Sequence, residues 1–358
     1  MSAPFYSESL AKRIATLAMN RLVLCILSAF VLVLFFAVST YDPDSNFGLP
    51  LAIGITAAAG SFRHRQTSPL AFYDEPFNLS LNASRRAYAT TLYDEGYVPG
   101  ALLLGHSLRF HGMLKPDVAQ HMVLLHLPDR ISNESLGLLR ETGWETIEVE
   151  RIPHPKGKAP SLIYIDQYTK LRLFEMEEFE QIFYIDADAL VVKPFPEIWS
   201  FPTPFAASRD VRKGHGWLST INAGTFLLKP SQRLLSHMLQ VAPYLKYESK
   251  FAEQALLNVY WERDITILPY LYNAQLDIKR VSRDAWNSLK DRMRIIHYTG
   301  VKPWQCKGKT DLPTERQIWL DAWRNMMEEK QRSNHPNLKR VTELMDNYCF
   351  HSKLTGMD

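Results

Sequence analysis

The sequence predicts an α/β fold with a parallel sheet of the nucleotide-binding kind. Strand-like and helix-like segments alternate from about residue 87 to residue 190, which is typical of parallel strands joined by helices. The strand that closes this region, 181–185, is apolar on both faces, as expected of a strand buried in such a sheet. The chain has 358 residues, of which 46% are hydrophobic, so it can form one large domain or two smaller ones.

The first half of the chain divides into strands and helices in a regular order. Its other strand candidates are 87–93, 121–127 and 146–152. One helix is predicted from Val98, and a second is capped by Ser132 and ended by Gly143. A third helix is predicted over 168–179, immediately before the buried strand.

The second half of the chain is less regular. The predicted strands are 205–209, 225–228, 265–268 and 294–298, and the predicted helices are 231–241 and 251–261. A last helix is predicted from about Thr314, with Trp319, Trp323 and Met326 on one side. The spacing of these apolar residues indicates a face that packs against the rest of the domain.

Two carboxylates, Asp186 and Asp188, follow the buried strand directly. Because strand side chains alternate between faces, this spacing predicts that both point the same way. Ligands of open α/β sheets bind at the carboxyl ends of the strands, and two like charges there are costly unless a cation neutralises them. The pair therefore predicts a metal–diphosphate site. The alternative is that two aspartates simply mark the end of a strand.

Other residues could complete such a site. His297 ends an apolar strand and could join the aspartates as a metal ligand, although a lone histidine there is more often part of a core. Gly300 would permit close approach of the backbone, and Lys302 would neutralise a phosphate. Lys170 could do the same, or it could be a solvated surface lysine.

Two short polar segments could contact a sugar. Asn222 and Ala223 lie with Gly224 in a small polar stretch between predicted strands, which suits hydrogen bonds to a sugar hydroxyl. Glu253 and Gln254 open a predicted helix, where they could equally be ordinary capping residues.

Composition and missing motifs argue against several other functions. The net charge of +3 is too small to indicate nucleic-acid binding. No G-x-G-x-x-G follows the first strand and no G-x-x-x-x-G-K-[ST] is present, which disfavours the usual dinucleotide and P-loop sites. A phosphohydrolase with Asp186 as nucleophile is disfavoured because Leu190 stands where that motif has Thr or Val. Cys306 and Cys349 could pair or stay free, and with Cys25 they form no C-x-x-C zinc motif.

An apolar run at 22–38 predicts a single membrane-spanning helix, at the lower length limit for a bilayer. Basic residues precede it and acidic residues follow it, so the N-terminus is expected in the cytosol and the remainder in the lumen of the Golgi or ER. The alternative is a cleaved signal peptide with its cleavage site at 37–39. Glycosylation sequons that agree with a lumenal placement begin at Asn78, Asn82 and Asn133.

These features predict a linear organisation behind the membrane anchor. It comprises a cytosolic tail (1–21), a transmembrane signal anchor (22–38), a stem (39–85), a globular domain (86–313) and a C-terminal helical extension (314–358). No internal repeat is present.

The candidate site residues fall in ordered blocks along the globular domain. The blocks are 87–102, Thr169-Lys170-Leu171, Asp186-Ala187-Asp188, Asn222-Ala223-Gly224-Thr225-Phe226, Phe251-Ala252-Glu253-Gln254, 268–273 and 297–304. In this order they resemble glycosyltransferase family 8, the group that contains glycogenin and plant galactinol synthase. The resemblance runs from about Ala87 to Trp304, and several ordered blocks are far more specific than one D-x-D.

The resemblance implies a GT-A fold with a mixed central sheet. It also implies a UDP-sugar donor, Mn²⁺ with Mg²⁺ as the alternative, and transfer of a hexosyl group with retention to a hydroxyl of a glycan, glycolipid or polyol. The implied metal ligands are Asp186, Asp188 and His297, and the implied catalytic residues are Glu253 and Gln254. The implied donor contacts are Thr91, Tyr93, Asp94 and Tyr97 at the nucleoside, Lys170, Gly300 and Lys302 at the diphosphate, and Asn222 and Ala223 at the sugar. Ala187, between the two aspartates, is also an implied donor contact.

The chain also departs from members of that family. The self-glucosylated tyrosine of glycogenin aligns with Arg280, so self-priming is not implied. Together with the predicted anchor, the resemblance indicates a membrane-anchored member of the fungal or plant type. The alternative is a catalytically silent lumenal protein of the same fold that binds a UDP-sugar or a glycan.

Overall fold

The computed structural model describes residues 68–73, 85–114, 120–157, 165–305, 312–333 and 339–342. All of them belong to one compact unit, Arg65–Asp358. The predicted tail and anchor, most of the stem, the sequons at Asn78 and Asn82 and the three cysteines lie outside the described residues. Asn133 is described and exposed.

Strands and helices alternate as the hydrophobic pattern of the first half predicts. The strands are β1 (Arg86–Leu92), β2 (Gln120–His126), β3 (Glu145–Glu148), β4 (Gln181–Ile185), β5 (Ala189–Val191), β6 (Phe205–Arg212), β7 (Gly216–Leu228), β8 (Thr266–Leu268), β9 (Ala274–Gln275) and β10 (Ile295–His297). The α-helices are α1 (Val98–Phe110), α2 (Asn133–Glu141), α3 (Gln232–Val241), α4 (Ala252–Tyr260), α5 (Leu276–Val281), α6 (Arg283–Lys290) and α7 (Pro313–Arg332).

The central sheet has seven strands in the order β3-β2-β1-β4-β7-β6-β8. Strands β1 to β4 pair in parallel, as predicted. Strand β7 then runs antiparallel to both β4 and β6, which makes the sheet mixed. A small second sheet has the order β5-β10-β9, so β10 lies beside β5, directly after the end of β4.

Hydrophobic side chains of the central sheet alternate between two cores. On one face, Tyr88 and Phe183 pack in a core that includes α1 and α7. On the other face, Ala89 and Tyr184 pack in a core that includes α3 and α4. The predicted face of α7 is confirmed, because Trp319, Trp323 and Met326 are fully buried in the first core.

Local signals predicted several boundaries correctly and missed others. Ser132 caps α2 through its side chain, and Gly143 follows the helix with a φ of 99°. The helix predicted over 168–179 is instead a 3₁₀-helix, Gln167–Glu175, which ends earlier. The strand predicted at 225–228 is the end of β7, whose first half is largely exposed and therefore lacks the apolar pattern of a buried strand. Helices α5 and α6 were not predicted.

Within the described part of the chain, no helix combines the length and the apolar composition needed to cross a bilayer. The longest described helix, α7, has 20 residues but carries charged residues along its exposed side. This finding contradicts the prediction of a single-pass type II protein of the Golgi or ER membrane. The anchor predicted at 22–38 is itself outside the described residues.

Candidate active site

The two carboxylates lie in a turn rather than on a strand. Strand β4 ends at Ile185, and Asp186 to Asp188 form the connection to β5. The backbone of Asp186 donates to Gly224 O at 2.7 Å, and Asp188 O accepts from the amide of Tyr298 at 2.9 Å. These bonds tie the turn to β7 on one side and to the end of β10 on the other. Strand alternation was therefore the wrong reason for expecting the two side chains together.

Asp186, Asp188 and His297 form a cluster that could hold a metal ion. One ligand atom from each of the three lies within 4.8 Å of the others. His297 Nε2 is 3.3 Å from Asp188 Oδ1 and 3.8 Å from Asp186 Oδ2. Two ligands at right angles around an octahedral cation, each about 2.1 Å from it, would be about 3 Å apart. The cluster could thus hold a divalent cation if its ligand atoms moved closer together, and one imidazole with two carboxylates is a donor set that first-row metals accept.

A hydrogen bond orients the imidazole toward the carboxylates. Asn273 Nδ2 donates to Asn222 Oδ1 at 3.0 Å, so Asn273 Oδ1 is the acceptor that faces His297 Nδ1 at 2.9 Å. Nδ1 therefore donates, and Nε2 is the ring nitrogen that faces the aspartates and would be available to a metal ion.

Gly224 permits the close approach of β7 to this histidine. A Cβ atom at residue 224 would lie 2.1 Å from His297 Cε1 and 2.7 Å from its Nδ1. No side chain fits in that space unless the ring moves. Gly224 also donates its amide to Asn222 Oδ1 at 3.0 Å, so the glycine shares a hydrogen-bond acceptor with Asn273.

Lysines neutralise both aspartates. Lys302 Nζ pairs with Asp188 Oδ2 and also donates to Tyr298 O at 3.1 Å. Burial opposes ionisation of Asp188, but Lys302 and then His297 outweigh it and hold the pKa of Asp188 below its usual value. Burial likewise opposes the positive charge of Lys302, but the neighbouring Asp188 carboxylate raises the pKa of Lys302 above its usual value. The pair is therefore ionic.

Lys170 joins the metal cluster to Glu253 in the first turn of α4. Its Nζ lies 3.1 Å from Asp186 Oδ1, 2.9 Å from Glu253 Oε1 and 3.1 Å from Ala223 O, and the side chain is only 3% exposed. Burial would lower the pKa of Lys170, but Asp186 and Glu253 raise it well above its usual value. The alternative of a solvated surface lysine is wrong. Burial raises the pKa of Glu253, and Lys170 opposes that shift.

A chain of polar side chains connects the cluster to a buried carboxylate, Asp210. Asn222 Nδ2 donates to Asp210 Oδ1 at 3.1 Å, and Gln254 Nε2 donates to Asp210 Oδ2 at 3.3 Å. Gln254 also accepts from the amide of Ala223 at 3.0 Å. Asn222 in turn contacts Asn273, which orients His297. A displacement at Asp210 is thereby coupled to the imidazole through two amide side chains.

The predicted nucleoside contacts line one cavity of about 440 Å³. Its lining residues include Thr91, Tyr93, Asp94, Tyr97, Asp186, Ala187 and Asp188. A second cavity of about 470 Å³ lies on the other side of Asp186. The predicted residues that line this second cavity, hereafter the sugar cavity, are Lys170, Asn222, Ala223, Glu253, Gln254 and Gly300, with Gly224. Asp186 is common to both cavities.

Sequence reasoning missed several residues of the site. Asp210 lay beyond the strand predicted at 205–209, although its two-residue spacing from Arg212 on β6 could have indicated a shared face. Asn273 fell within a recognised block but had no assigned role. Arg130 and Asp166, which face the nucleoside cavity and lie 3.7 Å apart, carried no local signal. Arg280 is held by Asp277, an i,i+3 pair at 2.8 Å.

The strand order and directions place the domain in the GT-A class of glycosyltransferase folds. Among solved structures, the WbbM bifunctional glycosyltransferase in its apo form has a TM-score of 0.50 at 15% identity, covering 68% of this chain and 50% of that chain. Similarity at this level of identity supports the fold alone. The chain itself belongs to glycosyl transferase family 8, whose profile matches residues 90–308.

Curated relatives agree with this family. Glycogenin of Neurospora crassa is 28% identical over 241 residues, which cover 65% of this chain and 33% of that protein. UDP-glucuronate:xylan alpha-glucuronosyltransferase 2 of Arabidopsis thaliana is 28% identical over 230 residues, covering 62% and 36%. Galactinol synthase 4 of Arabidopsis thaliana is 27% identical over 260 residues, covering 63% and 75%. The match spans about a third of the length of the first of these relatives.

Proposed function

We propose that this protein is a retaining, Mn²⁺-dependent glycosyltransferase that moves a hexosyl group from a UDP-sugar to an acceptor hydroxyl. The observation that carries the proposal is the position of Asp186. This carboxylate belongs to the candidate metal cluster and lines both the nucleoside cavity and the sugar cavity. A diphosphate bridging the two cavities would have to pass the cluster.

Each part of the site has a role in this proposal. Asp186, Asp188 and His297 would hold the cation, which when bound would stabilise the negative charge that develops on the departing UDP. Lys302 and Lys170 would offset phosphate charge, and the ion pair of each with one aspartate of the cluster supports this role. The family resemblance supports retention of the anomeric configuration.

The sugar cavity would orient the transferred group. Asn222 and Gln254 present amide groups to it, and Glu253 is fixed by Lys170 at the start of α4. These groups could bind sugar hydroxyls and exclude water from the reacting carbon. Their catalytic effect would come from positioning that carbon for attack. Relatives named for galactinol synthesis, for transfer to xylan and for transfer to inositol phosphorylceramide support a polyol, glycan or glycolipid hydroxyl as the proposed acceptor.

The proposal is tested by measuring UDP release from a panel of UDP-sugars with and without Mn²⁺. Asp188→Asn removes one proposed ligand charge, so activity should fall by about 100-fold or more, and Mn²⁺ binding in the presence of UDP should weaken. Asp284→Asn, an exposed carboxylate on α6, is the matched control and should leave both unchanged. Full activity of Asp188→Asn would refute the metal assignment, while UDP binding without turnover of any donor would favour the silent binding protein.

A further inference from the structure

The wall of the sugar cavity away from the metal cluster carries two cations that the proposed chemistry does not use. These are Arg212, at the end of β6, and Lys250, just before α4. Both lie over the ring of Phe251: the Arg212 guanidinium carbon is 3.9 Å from the centre of the ring, and Lys250 Nζ is 4.9 Å from it. We refer to these three residues as the cationic wall.

Arg212 is held in place by contacts that leave its two terminal guanidinium nitrogens available. Its Nε donates to Asp210 Oδ2 at 2.7 Å. Its guanidinium carbon lies over the ring of Phe251. Within the described residues, Nη1 and Nη2 have no hydrogen-bond or ion-pair partner. The side chain is 27% exposed, so these terminal nitrogens are accessible from the cavity that it lines.

Asp210 does not depend on Arg212 alone. Its carboxylate also accepts from the amides of Asn222 and Gln254. By contrast, Lys170 at the opposite end of the cavity is engaged by two carboxylates and a carbonyl. Arg212 is therefore the better placed of the two cations to take an additional anionic group.

Lys250 adds a second, more mobile charge. It pairs with Glu248 at 2.7 Å, but both side chains are more than 60% exposed, at 63% and 66%. Exposed pairs of this kind contribute little and exchange partners readily. Lys250 lines the sugar cavity whereas Glu248 does not. An anionic ligand in the cavity could therefore pair with Lys250 in place of Glu248 with little loss of stability.

We propose that Arg212 and Lys250 recognise the carboxylate of a hexuronosyl group in the sugar cavity. The inference rests on the proposed function and narrows its substrate class. A planar guanidinium with both terminal nitrogens available matches the two oxygens of a carboxylate, and its contact with an aromatic ring keeps it oriented before the ligand arrives. The hydroxymethyl group of a neutral hexose would leave this fork unsatisfied.

The carboxylate could belong to the donor or to the acceptor, because both sugars meet in this cavity. In the donor arm, calorimetry with Mn²⁺ compares the binding of UDP-glucuronate and UDP-glucose. In the acceptor arm, the protein saturated with UDP and Mn²⁺ is titrated with methyl glucuronide and with methyl glucoside. The preferred source is the arm in which the wild-type protein binds the acid more tightly than its neutral counterpart.

Arg212→Gln should reduce that acid-to-neutral preference by about 10- to 100-fold, because a charge-assisted pair is replaced by a neutral side chain. Lys250→Gln should reduce it by about two- to fivefold, as an exposed charge contributes less. The ratio is the readout, since any structural damage at Asp210 would weaken both ligands alike. Arg209→Gln is the matched control: Arg209 lies on the same strand, donates to Ser219 O and does not line the sugar cavity, so its replacement should leave the ratio unchanged.

Two results would overturn the inference. One is a wild-type protein that binds acid and neutral ligands equally well in both arms. The other is a wild-type preference for the acid that Arg212→Gln and Lys250→Gln leave intact. Neither result bears on transfer itself, because a protein that releases UDP from UDP-glucose would still support the proposed function. Conversely, a protein that turns over no donor would count against the proposed glycosyltransferase function. The ratio of acid to neutral binding would still test whether Arg212 and Lys250 recognise a carboxylate.

Discussion

Replacing Gly224 with alanine should disable the candidate metal site from a strand that supplies none of its ligands. The added Cβ would lie 2.1 Å from His297 Cε1, whereas ordinary contact begins near 3.4 Å, so the ring or the strand must give way by roughly 1.3 Å. The ring has little freedom to do so while it keeps its 2.9 Å hydrogen bond to Asn273. We expect Nε2 to leave the position where it faces Asp186 and Asp188.

The size of the effect follows from that displacement. A misplacement of about 1 Å at a reacting group costs about 100-fold in rate, and loss of the orienting hydrogen bond alone costs about 10- to 100-fold in metal affinity. Overpacking should also lower the free energy of unfolding by about 1–3 kcal/mol. Gly224→Ala should thus fold, bind Mn²⁺ at least 10-fold more weakly in the presence of UDP, and lose about 100-fold in UDP release.

Calorimetry of Mn²⁺ binding and urea denaturation measure the two effects separately. Gly137→Ala on α2 is the matched control, because a Cβ there meets nothing within 4 Å. That control should be neutral or more stable by up to about 1 kcal/mol, since alanine favours a helix. Wild-type Mn²⁺ affinity in a folded Gly224→Ala protein would refute the reasoning, because the imidazole would then be shown not to depend on this contact.

Three further outcomes concern stability. Ala252 has a φ of 47°, a backbone conformation that strains a non-glycine residue by about 1–3 kcal/mol. Ala252→Gly should relieve this strain at a smaller entropic cost and therefore raise the midpoint of urea denaturation. An unchanged or lower midpoint would contradict this expectation. Trp323→Ala should cost about 3–5 kcal/mol in the same assay, with the more exposed Ile318→Ala costing clearly less. Burial lowers the pKa of several histidines in the folded protein, so the unfolded chain takes up protons at these residues at a higher pH than the folded protein does. The melting temperature should therefore fall as the pH drops from about 7 to 5. A melting temperature that does not change over this range would contradict the expectation. These histidines are His106, His111, His154 and His237.

Features that depend on neighbouring residues were predictable from the sequence. The cap at Ser132, the stop at Gly143 and the buried face of α7 each follow from interactions within a few residues along the chain. The same holds for the strands β1, β2 and β4, whose burial gives them continuous apolar runs. The ordered blocks of the family resemblance contain the three residues of the candidate metal cluster and many of the residues that line the two cavities, although they carried no geometry.

Features that depend on strand register were decided only by the tertiary structure. Nothing local indicates that β7 runs antiparallel to β4, yet that direction brings Gly224 against His297, which is 73 positions away along the chain. The half-exposed hairpin of β6 and β7 likewise places Asp210 beside Asn222. The sequence by itself determined most elements of the first half of the chain and the chemical types of the candidate site residues. Their mutual positions followed from packing between distant segments, whose free energy no local pattern of residues encodes.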